Sequence, residues 1–311
     1  MKRKGFTLVE LLVVIAIIAL LMGILMPALA RVRQLAFRMV CGTNLSGIGK
    51  AMLLYSNDYE DELPRAGGRS TTWGGPVQWA AADRFGAYNV GADGSGGVAT
   101  VSSSFYLLVK YTEVTPKQFV CKGDAGTTEW KLSEEPQLPS PDFEYIDAWD
   151  FGSEPYKHCS YSYHQPYGMY ALTTSGESGL AVAADRNPWL KSPAADPRDP
   201  SRMPFAPDIA PWNSTTERAR NGNCNAHQLD GQNVMFLDTH VLFEKRAFCS
   251  VEDDNVYTYV PQGTSSTGSA LGEYPQGWVD IPGNRKDSLL VHDPDVSGGG
   301  GGGGTPTPRG R

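Results

Sequence analysis

The alternation of apolar and polar positions divides the chain into stretches with different periods. Residues 11–30 hold twenty consecutive positions without a charged or polar side chain. At about 1.5 Å rise per residue such a helix spans about 30 Å, the hydrocarbon thickness of a bilayer. From Arg31 onward the pattern turns amphipathic. Leu35, Met39, Leu45, Ile48, Met52 and Tyr55 recur mostly at spacings of three and four, the signature of one helical face. Gly42, Gly47 and Gly49 lower helix propensity locally, and Pro64 ends the pattern. The prediction is one helix from Phe6 to about Asp58, on the order of 80 Å long. Its second half would lie against a sheet.

Downstream the periods shorten. Residues 104–124 (SFYLLVKYTEVTPKQFVCKGD) predict a short helix, a loop and a strand ending at Cys121. Residues 160–167 alternate aromatics as a strand does, and residues 180–184 form a second, apolar strand. Gln232–Leu237 and His240–Lys245 predict a hairpin. Residues 91–100 (GADGSGGVAT) and the proline-rich stretch 187–221 read as long loops. The tail from 291, with seven consecutive glycines, has the composition of a disordered segment.

Charge narrows the function. The formal charge is −7, and removing Lys2, Arg3 and Lys4 leaves 24 basic against 34 acidic side chains, or −10. That balance argues against nucleic acid as a general partner. Lys2, Arg3 and Lys4 before the apolar run place the amino terminus in the cytoplasm and the bulk outside, although Arg31, Arg33 and Arg38 follow on the far side. The five cysteines, at 41, 121, 159, 224 and 249, form no CxxC pair. In an exported chain they allow one or two disulfides, with the pairing open, or buried free thiols. GGRSTTWGG lacks the Lys-Ser/Thr of a phosphate-binding loop, and the seven tryptophans are scattered in the manner of core or loop anchors.

The segment GFTLVELLVVIAIIALL closely resembles the cleavage and methylation signature of type IV prepilins and type II secretion pseudopilins. Gly5, Phe6, Thr7, Leu8 and Glu10 stand at the matching positions. The resemblance implies that a prepilin peptidase cuts between Gly5 and Phe6 and methylates the new amino group of Phe6. It also implies that Glu10, costly at membrane depth by roughly 2–4 kcal/mol, pairs with the Phe6 ammonium of a neighbouring subunit. Pro27 falls where such helices often carry a proline and a kink.

Residues 225–246 (NAHQLDGQNVMFLDTHVLFEKR) look like the carboxy-terminal prepilin-associated element of planctomycete-type pseudopilins, a histidine followed by an Asp-Gly turn. Here Asp238 is followed by Thr239 where that element has glycine. A β-branched residue resists the positive φ of a tight primed turn, so a longer turn or another type is expected. His227, Asp230, Asp238 and His240 lie close in sequence, but no catalytic spacing such as HExxH is present. A satisfied polar cluster fixing the hairpin is the expectation, with His227 in a buried hydrogen bond, and the chain is not read as an enzyme. Related pseudopilins imply calcium as a possible cofactor, for which Asp230, Asp238, Asp253 and Asp254 are the candidate ligands against a plain solvated acidic face.

The fold expected is α+β and pilin-like. Residues 1–5 are a leader, 6–30 a transmembrane or fibre-core helix, 31–62 its amphipathic continuation, 63–290 a periplasmic or extracellular head and 291–311 a glycine-rich tail. The function expected is a structural subunit of a type II secretion pseudopilus or type IV pilus-like fibre. Its partners would be the prepilin peptidase, other pilin or pseudopilin subunits and an inner-membrane assembly platform. A membrane-tethered surface binding protein, using its large head to capture a partner, is the alternative.

Overall fold

The computed structural model describes residues 7–68, 70–170, 172–203, 205, 216–261, 272–278 and 280–296. In chain order its elements are α1 (Leu8–Asp58), β1 (Thr72–Trp73), α2 (Arg84–Tyr88), β2 (Val98–Ala99), α3 (Val101–Thr112), β3 (Tyr161–His164), β4 (Ala181–Asp185), α4 (Glu217–Arg220), β5 (Gln232–Phe236), β6 (Val241–Glu244) and β7 (Leu290–Val291). This is the α+β, pilin-like architecture expected. A 51-residue helix precedes a five-stranded antiparallel sheet of order β6-β5-β4-β3-β7.

Helix α1 has two regimes. Residues 8–33 are all exposed, including every apolar side chain of the predicted span. Burial begins at Cys41 and continues through Leu45, Ile48, Gly49, Ala51, Met52, Tyr55 and Ser56. Leu35 and Met39, predicted on the packed face, are exposed. Full burial against the head therefore starts six residues later than the spacing suggested. Two glycines explain the closeness of that contact. A Cβ on Gly49 would lie 2.5 Å from Met235 Sδ on β5, and one on Gly42 would lie 3.1 Å from Asn233 Oδ1. Their cost in helix propensity, roughly 1 kcal/mol each, is offset by the approach of helix to sheet.

Beside α1 packs α3, buried from Val101 to Val109. Thr100 caps it, its hydroxyl accepting from Ser103 N at 3.0 Å. Phe105 packs against Phe119 and Tyr163 at ring distances of 5.5 and 4.9 Å. Each fully buried apolar ring of this kind contributes about 1.5–3 kcal/mol.

Several expectations change here. The predicted strand ending at Cys121 is absent: Pro116–Phe119 is a single 3-10 turn, because Pro116 opens it and supplies no ladder donor. The tail does not begin at 291. Leu290–Val291 is the edge strand β7 beside β3, and His292 and Asp293 are buried. Asp293 accepts from Val101 N, Ser102 N and Trp73 Nε1 at 2.9, 2.7 and 2.9 Å, which ties this segment to the start of α3. Residues 297–311 lie outside the described residues. The described parts of 187–221 pack on the head: buried Trp189 meets Phe205 and Tyr274, and buried Arg198 donates to Asn221 O.

The hairpin forms with strands of 232–236 and 241–244. Its connection is longer than a two-residue turn, with Phe236 N donating to His240 O at 3.0 Å across Leu237, Asp238 and Thr239. Thr239 itself takes the left-handed conformation, at φ 68°. A three-residue loop needs that conformation at its last position only, so one β-branched residue carries the strain.

Candidate functional site

Two places concentrate chemistry. The first is the start of α1. Thr7 and Glu10 form a reciprocal cap: the Glu10 carboxylate accepts from Thr7 N at 2.8 Å and from its hydroxyl at 2.6 Å, while Glu10 N donates to Thr7 Oγ1 at 3.3 Å. A cap of this type is worth about 1 kcal/mol to the helix. The Thr-x-x-Glu spacing signals it in the sequence. Within the isolated chain Glu10 thus has a local partner at the head of an exposed apolar helix. Gly5 and Phe6 lie outside the described residues. Among the described residues, α1 is the one helix long and apolar enough to cross a membrane.

The second place lies where α1 reaches the sheet. Cys41, the first buried residue of α1, forms a disulfide with Cys121, which follows the 3-10 turn, with Cα atoms 5.2 Å apart. Against it stand Asp185, at the end of β4, and His227, in the loop before β5; both are fully buried. His227 Nε2 lies 3.1 Å from Asp185 Oδ2 and 3.9 Å from Cys121 Sγ. Asn233 braces the pair. Its backbone N donates to Asp185 Oδ2 at 2.6 Å, and its Nδ2 lies 3.1 Å from that oxygen and 3.2 Å from His227 Nε2. The adjacent cation, Arg186, faces Asp124 instead, at 3.4 Å. Asp185 Oδ1 and His227 Nδ1 are buried with no hydrogen-bond partner among the described residues.

His227 thus makes the buried contact expected of it, but with Asp185, which nothing in the sequence singled out. The turn expected at Asp230-Gly231 falls earlier: Gln228 and Leu229, both at positive φ, are its central residues, and Asp230 N closes it on His227 O. A Cβ on Gly231 (φ 150°) would lie 2.3 Å from Glu244 O, so the close backbone approach requires glycine.

The four carboxylates predicted as calcium ligands are not gathered. Asp230 and Asp238 flank opposite ends of β5. Asp230 bonds Arg38 and Arg220 at 2.5 and 2.6 Å, Asp238 pairs with His240, and Asp253 meets Arg246 at 2.9 Å. Asp254 is buried and accepts from Ser288 N at 2.7 Å, and burial pushes its carboxyl well above the usual range. These partners are cations and backbone donors, and the set does not fit a calcium cage of six to eight oxygens. Among the described residues, the side chains that do converge as a potential ligand set are Cys41, Cys121, Asp185 and His227, with donor atoms within 4.8 Å of one another. Of this set, Asp185 is not singled out by the sequence, and the pairing of Cys41 with Cys121 stays open there because the two lie 80 positions apart.

A family model described as the prokaryotic N-terminal methylation motif matches residues 1–26. No curated protein and no solved structure matches the chain. The matched motif, with the long apolar helix that runs on from it, supports a type IV prepilin-like protein.

Proposed function

We propose that the chain is a structural subunit of a type II secretion pseudopilus or related type IV pilus-like fibre, without catalytic activity of its own. A prepilin peptidase cuts between Gly5 and Phe6 and methylates Phe6. The subunit waits in the inner membrane with its amino terminus in the cytoplasm and its head in the periplasm, then joins the fibre through an assembly platform. The observation that carries this reading is the full exposure of residues 8–33, a stretch that begins inside the methylation motif matched at residues 1–26. Two or more turns of leucine, valine and isoleucine facing water are not stable in an isolated soluble protein, and lipid or neighbouring helices must cover them.

In this reading Glu10 leaves its cap with Thr7 to meet the methylated ammonium of Phe6 on the next subunit. Glu10→Ala tests it. The variant should still be cut after Gly5 and stay in the membrane, but be lost from the assembled fraction. Incorporation at the wild-type level would overturn the proposal.

A further inference from the structure

We propose that Cys41, Cys121, His227 and Asp185 hold a tetrahedral zinc ion when the two cysteines are reduced, so that disulfide and metal are alternative staples at one position. The four donors, two sulfurs, one imidazole nitrogen and one carboxylate oxygen, are all types that zinc takes, and four protein ligands close its tetrahedral shell. The four donors come from α1, the loop after the 3-10 turn, the end of β4 and the loop before β5, and lie within 4.8 Å of one another. Zinc bonds of about 2.0–2.3 Å place tetrahedral ligands about 3.3–3.8 Å apart. Opening the disulfide and moving the donors by an ångström or less reaches that geometry.

A disulfide alone does not account for what surrounds it. His227 Nε2 faces a donor, Asn233 Nδ2, at 3.2 Å and a carboxylate oxygen of Asp185 at 3.1 Å. An imidazole with its lone pair on Nε2 faces the Asp185 Oδ2 lone pairs at 3.1 Å, and a cation bound to both atoms turns that opposition into two bonds. Gly123 N points at Cys121 Sγ at 3.4 Å, a donor suited to a thiolate. Gly123 is also where the two loops touch: a Cβ there would lie 2.5 Å from Ala226 O and 3.4 Å from His227 Cε1. Cys159, Cys224 and Cys249 are not among the converging donors.

The exchange balances. A phosphine reductant and one water convert the disulfide to two thiols and a phosphine oxide, with two electrons passing to the sulfurs. Zinc then displaces both thiol protons, while the carboxylate and neutral imidazole bind unchanged. The bound site carries one net negative charge.

The test uses the full chain in detergent, reduced with phosphine and titrated with Co2+. One equivalent should produce a sulfur-to-cobalt charge-transfer band and the visible bands of a tetrahedral ion, both abolished by Zn2+. The disulfide form should show neither. His227→Asn and Asp185→Asn should weaken binding at least about tenfold, whereas Cys249→Ser should leave it unchanged. Because a core variant can fail to fold, the wild type is also alkylated with and without Zn2+. The ion should protect Cys41 and Cys121 selectively, as read by peptide mass spectrometry. No charge-transfer band in the reduced wild type, equal affinity in the folded His227 and Asp185 variants, or no selective protection would each overturn the proposal.

Discussion

Arg38, on α1 just before its buried face, holds Asp230 at 2.5 Å in the turn that opens the hairpin, and its guanidinium lies 4.5 Å from the centre of the Phe243 ring. The contact therefore joins the base of the exposed helix to both strands of the hairpin. The ion pair is partly exposed, with side chains at 19% and 45% accessibility, and is worth little by itself. The ring contact adds about 0.5–1 kcal/mol. Arg38→Ala should cost about 1 kcal/mol in urea unfolding, and Arg38→Lys should recover only part of it, because a lysine lacks the planar fork. Full recovery by lysine would show that charge alone matters.

The Cys41–Cys121 bridge closes a loop with a sequence separation of 80. In the chain-entropy view such a closure stabilises by about 4 kcal/mol. Cys121→Ser in the oxidised protein should lower the denaturation midpoint accordingly, followed by tryptophan fluorescence. An unchanged midpoint would mean that the bridge contributes nothing to the head.

Acidity should also matter. Asp150 is fully buried beside the Thr100 hydroxyl, with Ser102 Oγ at 3.2 Å and Phe151 N at 2.8 Å. Burial first, and then the charge of Asp293, push its carboxyl from 3.8 up to about 8. The folded chain thus holds a proton that the unfolded chain releases between about pH 4 and 8. The unfolded state binds fewer protons across this window, so stability falls as pH rises through it. Asp150→Asn should flatten that slope, removing at least about 1.4 kcal/mol of change, the equivalent of one pKa unit. A slope identical to wild type would place the titration elsewhere.

Gly231→Ala should cost roughly 1–3 kcal/mol, since the new Cβ meets a backbone oxygen at a left-handed φ. Gly49→Ala should cost less, because the atom it meets is the flexible end of Met235. Thermal melting of the two variants in parallel checks the order; a milder effect at Gly231 would contradict the close approach seen there.

What the sequence made legible follows the range of each interaction. The long helix to Asp58, the hairpin and the strands at Tyr161–His164 and Ala181–Asp185 rest on local periodicity, and all were readable. The cap between Thr7 and Glu10 was also written locally, as Thr-x-x-Glu, although the resemblance marks both residues only as motif positions and not as a cap. The start of the packed face at Cys41 was not readable, because Leu35 and Met39 have the right spacing but no sheet above them. The pairing of Cys41 with Cys121, and the approach of Asp185 to His227, depend on long-range topology that no spacing encodes. Edge strand β7 escaped for a related reason: two residues are too short for a period, and the glycine tract nearby dominated the composition.

The account rests most heavily on the processed, assembled subunit. Native cells are sheared, and the amino-terminal peptide of the protein in each fraction is sequenced by mass spectrometry. A released filamentous fraction, or a membrane-bound pseudopilus fraction, in which the chain begins at methylated Phe6 is the predicted result. A chain that begins at Met1 in every fraction would contradict the account.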